Sequence, residues 1–115
     1  MKWIVAVAVL ASSIVALAQD PAAVAKSVYH KKLENQRVRV FEIVFKPGQA
    51  IPMHAHPDHV VYVVQAGTLE IVEKGKKPIR LAGKVGDTFF LPAQAHSAKN
   101  VGKTVFKGVV VELRS

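Results

Sequence analysis

From Arg37 onward the chain is divided into segments too short for ordinary helices and too regularly spaced for loops. Runs of five to ten residues rich in Val, Ile, Phe and Thr lie at 37–45, 59–65, 68–74, 78–82, 87–92, 95–100 and 104–113. The breaks between them, such as "KPGQ", "HPD", "AG", "KGKK", "GKVG" and "NVGK", each contain Gly, Pro or Asn. These residues supply the positive or fixed φ that turns require. No helical period intervenes, so the expected fold is all-β, an antiparallel sandwich or barrel. "HVVYVV" and "GVVVEL" are apolar on both faces. Burial inside a sandwich and cover by a second copy explain this equally, so a homodimer is one expectation. Ahead of these segments, "PAAVAKSVYHKK" (21–32) reads as a short leader, a turn of helix feeding a first strand.

The N-terminus has the pattern of a secretory signal. Lys2 precedes an uncharged apolar run from Trp3 to Ala18, which ends in "ALA" before "QD". The run is short for a membrane span and holds Ser12 and Ser13, so it is read as a signal peptide at 1–18 rather than an anchor. One domain at 19–115 is then expected in the periplasm or outside the cell, with no membrane association after cleavage. The chain has no cysteine, which excludes a lipoprotein anchor, disulfides and thiolate metal ligands. Without Lys2 there are 15 Lys and Arg against 8 Asp and Glu, a net charge of +7. Four of these cations sit in "EKGKKPIR" (73–80), which reads as a hairpin loop. No aromatic residues interleave with them, so a nucleic-acid platform is not expected, and the lysines serve solubility and edge protection.

"MHAHPDHVVYVV" (53–64) holds three of the five histidines. Side chains alternate along a strand, so His54 and His56 project to the same face, where two imidazoles can share one ion. A lone H-x-H is weak evidence. Here, however, Gly48 lies six residues before His54 and Gly67 eleven after His56, while Gly86, Pro92, His96 and Asn100 follow in order. These residues resemble the two motifs of the cupin family, over Gly48 to Asn100. The resemblance implies a cupin-type antiparallel β-barrel, also described as a double-stranded β-helix or jelly-roll-like sandwich. It also implies a divalent metal, Fe, Zn, Mn, Ni or Cu, held by His54, His56 and His96.

Two departures bear on function. The family's glutamate ligand would fall at Val60, or at Val61 with the looser spacing, and neither can bind a metal. The second motif's glycine is Gln94, and the gap from Pro92 to His96 is one residue short. His59 is the candidate replacement ligand or catalytic base. Strict alternation puts it on the opposite face, although a bulge at Pro57 and Asp58 would re-aim it. Asp58 is expected to cap that turn, and His30 to be an exposed histidine. Val60, Tyr62 and Val64 are expected to share the face of His54 and His56, with Phe89 or Phe90 and Met53 as apolar walls. Tyr62 is then the second catalytic candidate, as proton donor or substrate anchor. Three readings stay open: a metal-dependent enzyme acting on a small organic molecule, dioxygenase-like or an isomerase; a non-catalytic binder of metal or small molecule; and a degenerate cupin without metal.

Overall fold

A computed structural model describes residues 20–115; the expected signal peptide and Gln19 lie outside them. The described chain opens with a single helical turn, α1 (Pro21–Val24), capped by the Asp20 carboxylate on the Ala22 N–H, with Pro21 in its first turn. Nine strands follow: β1 (Tyr29–Glu34), β2 (Val38–Phe45), β3 (Ala50–His56), β4 (His59–Gln65), β5 (Gly67–Glu73), β6 (Ile79–Gly83), β7 (Thr88–Leu91), β8 (Gln94–Asn100) and β9 (Phe106–Leu113). They form a five-stranded sheet, β1-β2-β9-β4-β7, and a four-stranded sheet, β3-β8-β5-β6. Every ladder is antiparallel. The expected all-β fold is therefore present as a jelly-roll sandwich, its two sheets not closed into one hydrogen-bonded barrel.

The alternation of β9 shows how the core is assembled. Phe106, Gly108, Val110 and Glu112 point inward and are buried, while Lys107, Val109 and Val111 are half-buried on the outer side. Phe41, Ile43 and Phe45 of β2 meet them from the same sheet, and Ile51, Leu69, Ile71 and Ala98 from the other. Two glycines of the histidine motifs close the turns before β3 and β7. Gly48 and Gly86 have φ of +79° and +90°, values that a side chain with a Cβ rarely adopts. The motif asparagine is structural: buried Asn100 donates to the Phe45 and Thr104 carbonyls and accepts from Gly102 N–H.

Two expectations require correction here. The segment read as a leader does hold the expected helical turn, α1, but its end is already strand β1 rather than a lead-in to a strand at Arg37, and the segment contributes Ala25, Val28 and Tyr29 to the core. The strand β4 also has the opposite phase from the one expected. His59, Val61 and Val63 face inward, whereas Tyr62 is 47 % exposed and Val64 is exposed. Pro57 and Asp58 turn the chain from the four-stranded sheet to the five-stranded one, and alternation is not carried through such a turn. Of the expected apolar walls, Phe89 packs against the core and Phe90 is 59 % exposed. Tyr62 therefore does not share a cavity with the histidines, and its expected catalytic role falls.

Candidate metal centre

His54 and His56 lie on β3 with one residue between them, and His96 stands directly opposite His54 on β8. Both strands present these side chains to the interior, where all three are buried. The ring centroids are 4.8 Å apart for His54 and His56, 4.6 Å for His54 and His96, and 5.1 Å for His56 and His96. One potential ligand atom from each falls within 4.8 Å of the others. The shortened gap after Pro92 is absorbed in the turn before β8, and His96 points inward. His59 is also buried, its ring stacked on His56 at 4.2 Å and 6.3 Å from His96. It lies at the side of the three-histidine group rather than within it.

The hydrogen bonds settle which nitrogen each ring offers. His54 Nδ1 meets the Pro52 carbonyl at 2.8 Å, and His59 Nδ1 meets the Pro57 carbonyl at 2.8 Å. His96 Nδ1 meets the Gln94 side-chain oxygen at 2.8 Å, and His56 Nδ1 meets a Glu112 carboxylate oxygen at 2.6 Å. An oxygen acceptor at Nδ1 requires Nδ1 to carry the proton, which leaves the lone pair on Nε2. All four rings are thus set in the tautomer that ligates through Nε2, with the other nitrogen anchored, as metal-binding histidines generally are. The β3–β8 register slips between Ile51 and His54, at the residues that place the Pro52 carbonyl against its ring. Gln94, the residue that departs from the expected glycine, is the anchor of His96.

One atom tests whether an ion fits. Among the described residues, His54 Nε2 is buried with no hydrogen-bond partner. A buried polar atom left unpaired costs about 1–3 kcal/mol, and a divalent ion would satisfy it together with its neighbours. Burial lowers the pKa of all four histidines below the ordinary value, His56 and His96 to about 2. They are neutral at pH 7, the form that binds metal. An all-imidazole set suits Zn, Cu, Fe or Ni rather than Mg or Ca.

The cupin domain family's sequence profile matches residues 41–112, which include every one of these histidines. The chain belongs to the cupin family. No curated protein matches it in sequence. Among solved structures, it is similar to a cupin domain from Bordetella pertussis Tohama I, at 27 % identity and a TM-score of 0.70 over 76 % of this chain and 93 % of that one. It is also similar to a double-stranded β-helix protein from Klebsiella pneumoniae, at 29 % identity and a TM-score of 0.62 over 75 % of each chain. A DMSP lyase, DddQ, from Ruegeria pomeroyi shares the fold at 20 % identity and a TM-score of 0.56, over 78 % of this chain and 48 % of that one.

Two residues of this cupin's centre escaped the sequence reading. Tyr29 is buried on β1, and its hydroxyl lies 3.1 Å from His56 Nε2. Because that nitrogen carries the lone pair, the phenol donates. Glu112 is the acceptor behind the same ring. The available signals were a lone glutamate at an inward position of an apolar strand and a tyrosine following "AVAKSV". Asp58, expected to cap its own turn, instead accepts the Ala93 N–H of the turn before β8 at 2.8 Å, whereas His30 is exposed as expected.

The Tyr29 bond occupies the electron pair that His56 would give to an ion. Tyr29→Phe is therefore expected to tighten metal binding by about 2- to 10-fold, the equivalent of one neutral hydrogen bond. Isothermal titration with Zn(II) would show the change, and weaker binding would contradict it. Acid has a separate effect on the metal-free chain. The four histidines have folded pKa values below their unfolded value of about 6.5, so the unfolded chain binds more protons under that pH. The stability they contribute is complete above pH 6.5 and is lost as pH falls below it, by about 1.4 kcal/mol per pH unit for each proton taken up. Urea midpoints measured in chelator between pH 7.5 and 5 would reveal that slope.

Proposed function

We propose that this cupin holds a divalent metal through Nε2 of His54, His56 and His96, with His59 as a neighbouring fourth imidazole, and presents it to a small ligand. The observation that carries this reading is the unpaired, buried His54 Nε2, aimed among rings whose other nitrogens are all anchored. A bound ion would act as a Lewis acid, polarising an oxygen of the ligand or lowering the pKa of a bound water. The cavity beside His59 and His96 has a volume of about 30 Å³ and otherwise apolar walls apart from Tyr29. One water needs about 10–15 Å³, whereas sites for drug-sized molecules measure about 300–1,000 Å³. Water, dioxygen or the tip of a small organic molecule fits this interior.

The test is metal analysis of untagged protein beside His54→Ala and His96→Ala. Stoichiometric Fe, Zn, Mn, Ni or Cu that both substitutions remove is the expected result, and a metal-free chain unaltered by either would refute the reading. Oxygen uptake by the iron-loaded chain with a panel of small organic substrates separates turnover from sequestration. The proposed location is periplasmic or secreted, on the strength of the signal pattern at 1–18, and an N-terminus at Gln19 in the exported protein would test it. No helix among the described residues is long and apolar enough to cross a membrane.

We further propose a homodimer through the outer face of the five-stranded sheet. Val40, Val111, Val60 and Phe90 stand in register across β2, β9, β4 and β7, beside Tyr62 and Val109. A two-fold interface uses one patch on both copies, and a row of this kind is self-complementary. Sedimentation should give a dimer for the parent chain and a monomer for Val60→Arg; a monomeric parent would contradict the proposal.

A further inference from the structure

The histidine cluster has no charged ligand, yet a carboxylate lies directly behind it. Glu112 of β9 is 1 % exposed, and its Oε2 accepts the His56 Nδ1–H at 2.6 Å. Its Oε1 accepts from Arg39 Nε at 3.0 Å and from an Arg39 terminal nitrogen at 2.8 Å. The guanidinium is also held by both oxygens of Asp20, at 3.0 and 2.8 Å. Among the described residues, two carboxylates thus share this one guanidinium. Of the two, Glu112 is the one that touches the cluster.

The sheet register explains the placement. Glu112 stands opposite Arg39 on β2 and opposite His59 on β4, so its strand runs beside the segment where the cupin motif calls for a glutamate and this chain has Val60 and Val61. A carboxylate thus stands on the strand alongside the ligand position rather than at it.

We propose that Glu112 is a positioning residue for the metal: through His56 it aims Nε2 at the ion and supplies the negative charge that Val60 and Val61 cannot. An imidazole whose Nδ1–H is bonded to a carboxylate is a stronger donor at Nε2, and loss of such a partner typically costs about 10- to 100-fold in metal affinity. The inference rests on the metal-binding reading above. Arg39 and Asp20 fix the carboxylate, so that it neither rotates away nor enters the cavity itself.

The experiment is a Co(II) titration of the untagged chain against a chromophoric chelator, for the parent and for Glu112→Gln. The expected result is a 10- to 100-fold loss of affinity in a variant whose circular dichroism shows it folded. Affinity within twofold of the parent would overturn the proposal, because a purely structural ion pair would alter stability and leave Co(II) binding alone. Should Glu112→Gln fail to fold, proton NMR of the zinc-loaded parent decides the matter. The His56 Nδ1–H is expected to be the most downfield and the slowest to exchange of the imidazole protons; His56 and His54 protons with equal shifts would overturn the assignment. A parent chain that takes up no Co(II) would refute the metal-binding reading itself, whereas a binding parent with an unaffected variant refutes only the role of Glu112.

Discussion

Zinc at about a thousand times its Kd is expected to raise the unfolding free energy of this cupin by about 4 kcal/mol, and His54→Ala to abolish that increment. The effect is large because the unfolded chain scatters three ligands that the sandwich holds within 4.8 Å. His54 is the informative position, since its Nε2 has nothing else to bind. Substitution also removes the Nδ1 bond to Pro52 and some buried volume, but that loss appears in the metal-free baseline. Urea unfolding of parent and variant, each with zinc and with chelator, isolates the metal-linked increment. A variant that retains more than half of it would show that the ion binds elsewhere.

Phe106→Ala is expected to cost about 3–5 kcal/mol, the usual penalty for emptying a buried aromatic site. Phe106 is 0 % exposed and meets Phe45 edge to face, with ring centroids 6.4 Å apart. Two glycines make room for it: a Cβ on Gly67 would come within 3.0 Å of the Phe106 Cβ, and one on Gly83 within 3.2 Å of its ring. Neither backbone can move in to fill the hole, because each belongs to the β5–β6 ladder, where Gly67 and Gly83 pair with each other. Against the roughly 5–15 kcal/mol that holds a domain together, this loss brings the metal-free chain close to unfolding. Denaturant midpoints measure it, and a cost under about 1.5 kcal/mol would mean that the sheets collapse onto the gap. Phe106 also lines the cavity that His59 and His96 share, so the same substitution should enlarge the space beside the site.

The features that could be read in advance were those set by local chemistry. Gly, Pro and Asn at the breaks marked most strands to within a residue or two, because turn geometry is a property of the residues that make the turn. His54 and His56 had to share a face, since two residues on one strand always do. The segment from Pro21 to Lys32 was harder. Its "PAAVAKS" forms α1 and the link after it, and only pairing with β2, from Tyr29 opposite Ile43 to Glu34 opposite Arg39, makes the largely exposed "YHKKLE" the strand β1. His59 and Tyr62 exchanged places for a similar reason. Their phase depends on which sheet β4 enters after Pro57 and Asp58, and an odd spacing from His56 carries no information across that turn.

By itself, the sequence determined a cysteine-free all-β chain with cupin motifs and three histidines as the candidate ligands. Strand periodicity, turn residues and short-range spacing are local, and the chain states them directly. Only the tertiary structure decided what surrounds those histidines. It placed Tyr29 in front of His56 and Glu112 behind it, turned His59 inward, and used Gln94 to anchor His96. The Tyr29 and Glu112 contacts join residues 27 and 56 positions from His56, carried by β1 and β9 of the five-stranded sheet to face His56 on β3 of the other. No spacing rule encodes them, because a charge or a proton is placed by distance in space, and only strand register together with the packing of the two sheets converts position in the chain into that distance.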